Sequence, residues 1–158
     1  RFFTVYGPWG RPDMALFSFT DRLLRGEPIE AYGEGRMARD FTYIDDIVDG
    51  IMRVIPRPPA ADASWDAGKA DPGTSSAPFR IYNIGNHNPV RLMDFIATIE
   101  KHMGKKALIN FKPMQPGDVH TTCADITDLS RDTGYVPATS IDEGIGRFVK
   151  WFRDYYGG

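Results

Sequence analysis

The sequence has few of the features that mark several large classes of protein. Its 158 residues contain one cysteine, Cys123, so no intrachain disulfide can form, which fits a reducing compartment. The formal net charge is −2 and no block of lysine and arginine occurs, so neither nucleic acid nor an anionic membrane is favoured as a partner. No apolar run is long enough for a membrane-spanning helix. We therefore expect a cytoplasmic protein that binds neither nucleic acid nor membrane.

The common catalytic and metal-binding motifs are also missing. The three histidines are scattered and one cysteine gives no metal-ligand spacing, so we predict no metal site. Neither a Gly-x-Ser-x-Gly nor a Walker sequence occurs. Gly33 and Gly35 lack the third glycine of a dinucleotide-binding loop, because Ala38 stands in its place, and a tight turn explains them better. Asp45 and Asp46 could form a metal pair, although two acids at a helix start are the simpler explanation.

What the chain does contain is an alternation of strand and helix patterns, sufficient for one domain with a hydrophobic core. The patterns predict strands at 1–6, 29–32, 36–40, 41–44, 79–84 and 107–111. They predict five helices, with N-caps at Asp13, Asp45 and Ser140 and further helices at 92–103 and 127–133. Ser140 and Glu143 have the spacing of a capping box. The fold class is therefore α/β.

Two regions of the chain differ from this pattern. Residues 57–78 are rich in Pro, Ala, Asp, Gly and Ser, and we predict an exposed loop there, the segment with the least apolar surface to offset ordering. The chain opens directly in an apolar strand, without a methionine or a polar lead-in. We therefore expect residues 1–158 to be a portion of a longer protein.

Three short clusters remain as candidates for a binding site. The first runs from Thr4 to Asp13, where a strand leads into a glycine-proline turn that carries Arg11, and ligands bind at strand ends in α/β proteins. The second is Arg39-Asp40-Phe41, and the third is the turn Gln115-Pro116-Gly117-Asp118. For each cluster the alternative is an ordinary surface charge, an ion pair or a turn residue.

Together these clusters resemble the NAD-dependent epimerase/dehydratase family, the extended short-chain dehydrogenases. The first similar stretches are Arg1-Phe2-Phe3-Thr4-Val5-Tyr6-Gly7-Pro8, Arg39-Asp40-Phe41-Thr42-Tyr43-Ile44-Asp45-Asp46 and Tyr82-Asn83-Ile84-Gly85. Within the family, the branch that inverts C4 of UDP-glucuronate is most similar, through Tyr6-Gly7-Pro8-Trp9-Gly10-Arg11-Pro12-Asp13-Met14-Ala15, Gln115-Pro116-Gly117-Asp118-Val119 and Thr139-Ser140-Ile141-Asp142-Glu143-Gly144. The resemblance implies the C-terminal, substrate-binding part of a Rossmann-type enzyme, with late strands of a parallel sheet and a small mixed α/β cap.

The resemblance also implies roles for matched residues. Those near the nicotinamide of NAD would be Phe2, Phe3, Tyr6, Gly7 and Pro8. Those near the UDP-sugar would be Thr4 at the hexuronic acid, Ala15 and Leu16 at the nucleotide, Glu30 and Tyr32 at the uracil, Arg11 and Arg39 at the diphosphate, and Asp118 at the ribose. Gln115 stands where galactose-type epimerases have a second arginine, which favours the glucuronate branch.

Catalytic residues are not expected in this sequence. The family's Tyr-x-x-x-Lys pair and its glycine-rich cofactor loop do not occur between residues 1 and 158. The resemblance therefore implies a portion that is inactive alone, within an intact enzyme that is a homodimer. Two alternatives stay open: a UDP-sugar-binding fragment without catalysis, and a portion of a related 4,6-dehydratase or decarboxylase, since these reactions share the 4-keto step.

Overall fold

The computed structural model describes residues 1–69 and 71–157, and it confirms the α/β class. The strands are β1 (Thr4–Tyr6), β2 (Ile29–Ala31), β3 (Ala38–Tyr43), β4 (Pro89–Arg91) and β5 (Ile109–Phe111). The helices are α1 (Ala15–Arg25), α2 (Ile44–Val54), α3 (Leu92–Met103), α4 (Thr127–Thr133) and α5 (Ile141–Tyr156). A 3-10 turn, Tyr32–Gly35, follows β2.

The strands form two small sheets. In the first, β3 lies between β1, which is parallel to it, and β4, which is antiparallel. In the second, β2 and β5 are parallel. Two further bridges extend the first sheet, because Ile84 pairs with Phe2 and Thr121 pairs with Ala38, both in parallel. The second of these bridges brings the segment 118–122 alongside the start of β3.

Hydrophobic cores cover both faces of the first sheet. Tyr6, Phe41 and Tyr43 point into the larger core with α1, α3 and α5, where the rings of Phe41 and Phe95 stack at 4.1 Å. Val5 points the other way and packs against the smaller core formed with α2 and α4. The side chains alternate along β1 because successive residues in a strand point to opposite faces of the sheet. The sheet is therefore held rigidly between two helical layers, which fixes the loops at its edge.

The helices match the predicted positions, but two of their predicted caps are wrong. Met14, not Asp13, is the N-cap of α1, and Asp13 pairs with Arg11 instead. Tyr43 is the N-cap of α2, and Asp45 lies in the first turn, where an acid still meets the positive end of the helix dipole. The predicted cap at Ser140 is confirmed, since its side chain accepts a hydrogen bond from the Glu143 N–H at 3.2 Å.

Three strand predictions need correction. The stretches predicted at 36–40 and 41–44 are one continuous strand, β3. The strand predicted at 79–84 is wrong, because Arg80 and Ile84 each make only an isolated bridge. The structure has β4 instead, which begins with Pro89 at the sheet edge, a position that tolerates the missing N–H.

The segment 57–78 carries turns and no helix or strand in its described part. Most of its residues are exposed, and the side chain of Trp65, which donates from Nε1 to Thr74 Oγ1 at 3.1 Å, is one of the few that are half-buried. Among the described residues, no helix has the length and apolar character needed to cross a bilayer.

Candidate functional site

A cavity of about 390 Å³ opens where β1 ends and α1 begins. Thr4 lies on its strand side, Arg11 lies in the loop between the two elements, and Ala15 and Leu16 lie at the start of the helix. Buried rings of the larger core, Phe41 and Phe148, line its inner wall. The cavity therefore combines an apolar wall with polar groups at its mouth, as small-molecule sites commonly do.

The start of α1 can accept an anion. Its N-cap residue, Met14, offers no side-chain hydrogen bond, and the first turn contains no acid. The first N–H to bond within the helix is that of Ser18, which donates to Met14 O at 3.0 Å. In the described part of the chain, the N–H groups of Ala15 and Leu16 have no acceptor, and both residues line the cavity. Unpaired N–H groups at the positive end of a helix dipole favour phosphate or carboxylate.

Arg11 lies at the exposed mouth of this cavity. Its guanidinium donates to Asp13 Oδ2 at 3.0 Å, and both side chains are largely exposed. An exposed pair of this kind contributes little to stability. The guanidinium can therefore exchange Asp13 for an anionic ligand at small cost.

Arg39 and Asp118 form the best-defined polar contact among the predicted site residues. Arg39 Nη2 donates to Asp118 Oδ1 at 2.6 Å, although the two residues are 79 positions apart. Arg39 Nη1 also donates to the carbonyls of Ala38 and His120. The N–H of Val119 donates to Asp118 Oδ1 at 2.8 Å. The pair is fixed because the segment 118–122 runs beside β3, where the Ala38 N–H donates to His120 O.

A second cavity, of about 420 Å³, adjoins the first. It is lined by Phe2, Phe3, Thr4, Met14 and Thr122, and three of these residues, Phe3, Thr4 and Met14, also line the first cavity. Thr122 ends the segment 118–122, which begins with Asp118 and runs beside β3. Arg11 does not contact Arg39 or Asp118 in the described structure.

Glu30, Tyr32 and Gln115 form a third group, on the smaller sheet. The Tyr32 hydroxyl donates to Glu30 Oε2 at 3.0 Å, and this hydrogen bond raises the pKa of the phenol while Gln115 opposes the shift. Lys112, which directly follows β5, lies 4.0 Å from Glu30 Oε1. The parallel pairing of β2 with β5 thus brings Glu30 and Tyr32 close to the segment that leads from β5 to Gln115.

The Tyr6 side chain belongs to the core rather than to the cavity mouth. Its ring packs against Phe41 and Tyr43, and its hydroxyl donates to Ser140 O at 3.4 Å. Burial raises the pKa of this phenol. Any ligand contact at this residue is therefore through the main chain or the ring edge. Gly7 and Pro8 line the cavity, and Gly7 has a φ of 141° that L side chains rarely adopt.

Phe2 and Phe3 offer apolar surface on the second cavity. The Phe2 side chain is 59% exposed, which is unusual for a ring of this size. Phe3 lines both cavities. The face is apolar and lies next to Thr4.

Three residues that shape the site were given no role of their own from the sequence. Asp40 is fully buried, and its carboxylate accepts hydrogen bonds from the N–H groups of Asn86, His87 and Ala124 at 2.7 to 3.0 Å. It thereby holds the segment that leads back to Asp118. Met14 lines both cavities and Thr122 lines the second, and their role depends on chain segments that meet only in the fold. Among the described residues, no group of three or more His, Cys, Asp or Glu side chains could hold a metal ion.

Comparison with known proteins supports the family resemblance. Residues 1–85 match the family described as NAD dependent epimerase/dehydratase. The chain is 52% identical over 157 residues to a probable UDP-glucuronate 4-epimerase of Rhizobium meliloti, covering 99% of this chain and 46% of that protein. It is 46% identical over 162 residues to UDP-glucuronate 4-epimerase 1 of Arabidopsis thaliana, covering 99% of this chain and 36% of that protein.

A solved structure gives the same result in three dimensions. The UDP-glucuronic acid 4-epimerase of Bacillus cereus, in complex with UDP-glucuronic acid and NAD, matches with a TM-score of 0.80 and 31% identity, over 99% of this chain and 45% of that one. The chain spans about half the length of the curated relatives it matches first. The family match covers more than half of the 158 residues, and the motifs, the fold and the relatives agree. The chain belongs to the NAD-dependent epimerase/dehydratase family.

Proposed function

We propose that the protein carrying this chain interconverts UDP-glucuronate and UDP-galacturonate, and that residues 1–158 hold the UDP-sugar. The proposal rests on two adjoining cavities, lined by Arg11, the start of α1 and Thr122, and on the Arg39–Asp118 pair held by the segment that ends at Thr122. The names of the similar proteins support the choice of substrate. The protein acts, in this proposal, as a cytoplasmic homodimer.

The diphosphate is held by positive groups among these residues. The Arg11 guanidinium, the Arg39 guanidinium and the free N–H groups of α1 all suit phosphate oxygens, and arginine can bind them in a bidentate manner. Asp118 accepts hydrogen bonds from the ribose hydroxyls, for which a carboxylate is well suited. Gln115 adds a neutral contact where a second arginine would add charge.

The uracil lies against the smaller sheet. Glu30 and Tyr32 frame it largely through backbone groups, while their side chains are held together by their own hydrogen bond. Ala15 and Leu16 border the nucleotide from the side of α1.

NAD fits the apolar surface next to Thr4. Phe2 and Phe3 offer ring faces, and the Gly7-Pro8 turn lets a planar group approach the main chain closely. When bound, NAD would supply the hydride chemistry at C4 of the sugar. The residues of this chain would orient the sugar beside it and exclude water with the apolar wall of the first cavity.

Thr4 restrains the sugar carboxylate in this proposal. The 4-keto form of glucuronate is a β-keto acid that loses carbon dioxide readily, so an epimerase must hold the carboxylate away from the geometry of decarboxylation. Thr4 lines both cavities and can donate a hydrogen bond from its hydroxyl. A related decarboxylase or 4,6-dehydratase would use the same surface, with other products.

The test is a product assay on the protein that carries this chain. Incubation with UDP-glucuronate and NAD, followed by proton NMR, should show UDP-galacturonate and no UDP-pentose. Formation of a UDP-pentose, with loss of carbon dioxide, would reassign the protein as a decarboxylase. A parallel incubation with UDP-glucose, whose C6 hydroxyl can leave as water, would reassign it as a dehydratase if a 4-keto-6-deoxy product formed. Binding of UDP-glucuronate without any product would leave a binding protein and overturn the epimerase assignment.

A further inference from the structure

We propose that Trp9 is a positioning residue that fixes the loop from Pro8 to Met14 and so directs Arg11 towards the diphosphate, with α5 as its support. This inference rests on the proposed function, because it concerns how the same UDP-sugar surface is held in shape. The Trp9 ring lies 5.1 Å from the ring of Trp151 and 5.1 Å from the ring of Tyr155, both on α5.

Trp9 lies between the first cavity and the C-terminal part of α5. It lines the first cavity together with Arg11, and it also lines a separate cavity of about 400 Å³ with Trp151 and Tyr155. Trp151 and Tyr155 do not line the first cavity. Trp9 lines the first cavity and contacts both rings, whereas Trp151 alone also reaches that cavity's inner wall, through Phe148.

The backbone at Trp9 takes a conformation that bulky residues rarely adopt. Its φ is 63°, in the left-handed region, and it is the third residue of the turn closed by the Gly10 N–H and Gly7 O. Trp9 is 71% exposed, so burial in a core does not stabilise this conformation. The packing of its ring against Trp151 and Tyr155, at distances where aromatic pairs attract, supports it instead.

The loop has few other anchors on the Arg11 side. The Gly10 N–H donates to Gly7 O at 3.2 Å, and the Met14 N–H donates to Arg11 O at 3.1 Å. Both bonds are local turns and neither reaches the rest of the molecule. Among the described residues, the Arg11 side chain donates hydrogen bonds to Asp13 and Met14 alone. Among the contacts of this loop, the Trp9 stack is therefore the one that ties it to α5.

The test measures the affinity for UDP and for uridine, which has no phosphate, in the protein that carries this chain. Trp9→Ala should raise the Kd for UDP about tenfold, as expected for loss of a hydrogen bond to a charged group. It should leave the Kd for uridine unchanged. In an Arg11→Ala background, Trp9→Ala should cause no further loss. Trp9→Phe should retain most of the affinity because it keeps a ring.

Two further variants separate positioning from a general loss of structure. Tyr155→Ala removes a partner ring from an exposed site, so it should fold and reproduce the loss for UDP in part. Lys150→Ala is the matched control on the same helix, since Lys150 lines the cavity with Trp9 but adds no ring to the stack, and its ammonium pairs with Asp154. Far-ultraviolet circular dichroism should be the same for all three variants and the unmodified protein, which excludes a general loss of structure.

The outcomes distinguish this proposal from the one it rests on. If the unmodified protein does not bind UDP, the proposed function fails and the role of Trp9 fails with it. If the unmodified protein binds UDP and Trp9→Ala binds it equally well, only the role of Trp9 is overturned. Equal losses for UDP and uridine would also overturn it, because the effect would not pass through Arg11.

Discussion

Arg39 and Asp118 are paired before any ligand arrives, with side chains that are 20% and 30% exposed. A half-shielded pair keeps a guanidinium in one orientation without the cost of full burial. The Arg39 guanidinium carries further N–H groups besides those that donate to Asp118 and to the carbonyls of Ala38 and His120. These further groups are available to an anion. Asp118 therefore orients the Arg39 guanidinium for a ligand, and the guanidinium keeps N–H groups with which to bind it.

Replacing Arg39 tests this role. In the protein that carries this chain, Arg39→Ala should weaken UDP-glucuronate binding by about 1.5 to 3 kcal/mol, the range for hydrogen bonds to charged groups. Arg36→Ala is the matched control, since Arg36 is exposed and lies only three positions away. Calorimetry measures both, and equal affinity of Arg39→Ala and the unmodified protein would remove Arg39 from the site.

Asp40 has a structural role beside Arg39. Asp40→Ala would leave three N–H groups without their acceptor, one buried and two partly buried, so we expect a loss of about 3 kcal/mol or more in the free energy of unfolding. Asp45→Ala, at an exposed acid on α2, should change it by less than about 0.5 kcal/mol. Urea unfolding provides the comparison, and similar values for the two variants would contradict this account of Asp40.

At the level of elements, the close approach of α5 to β1 depends on Gly144. A Cβ at this position would lie 2.1 Å from the Tyr6 hydroxyl and 2.7 Å from the ring, and that ring is locked in the larger core. Gly144→Ala should therefore cost about 1 to 3 kcal/mol in the free energy of unfolding, as overpacked cores do, despite the better helix propensity of alanine.

The control for this prediction lies one half-turn further along the helix. Gly146→Ala meets the His102 ring, whose carbon would lie 2.8 Å from the new Cβ but whose edge reaches towards solvent. That ring can move, so the loss should be smaller. Urea unfolding measures both losses in the free energy of unfolding. A larger loss for Gly146→Ala than for Gly144→Ala would show that the Tyr6 ring moves aside more easily than its packing indicates.

The helices could be predicted from the sequence because each has local start or stop signals. Gly134 closes α4 in the left-handed conformation, and Thr127–Thr133 is the helix that was predicted. The stretch 79–84 has strand-like residues, yet a strand needs a continuous partner, and here Arg80 and Ile84 make only single bridges, to Thr74 and to Phe2. The caps at Asp13 and Asp45 were wrong because an acid near a helix start also suits an ion pair or the first turn.

The site could be predicted only in part for a related reason. The motifs identified Arg39 and Asp118 separately, since each lies in a recognisable turn or strand. Their contact spans 79 positions and depends on the bridge between Ala38 and Thr121. No local sequence pattern predicts that bridge. Asp40 was given no structural role from the sequence, because a buried carboxylate and an exposed one look alike in sequence.

At the level of the whole molecule, two buried tyrosines make the free energy of unfolding decrease at alkaline pH. Burial raises the pKa of Tyr6 and of Tyr135 above the ordinary value of about 10. Above about pH 10 the unfolded chain loses these protons first, so the stability present below that pH is lost as the pH rises towards the folded pKa values.

Removing one of these phenols should flatten that dependence. Above about pH 10, Tyr6→Phe should reduce the fall in the free energy of unfolding by up to about 1.4 kcal/mol per pH unit. Tyr155→Phe, at a tyrosine on the exposed end of α5, is the control and should leave the dependence unchanged. Identical pH profiles for the unmodified protein and Tyr6→Phe would contradict the assignment of the buried phenol.

The two helical layers and the sheet between them position Arg11, Arg39 and Asp118 in distant segments, and the UDP-sugar of the proposed function would span all three. The most direct measurement is a crystal structure of the protein that carries this chain with UDP-glucuronate bound. We expect the diphosphate within hydrogen-bond distance of both Arg11 and Arg39, and the ribose hydroxyls on Asp118. A nucleotide bound elsewhere, with these three side chains still directed to solvent, would contradict the account.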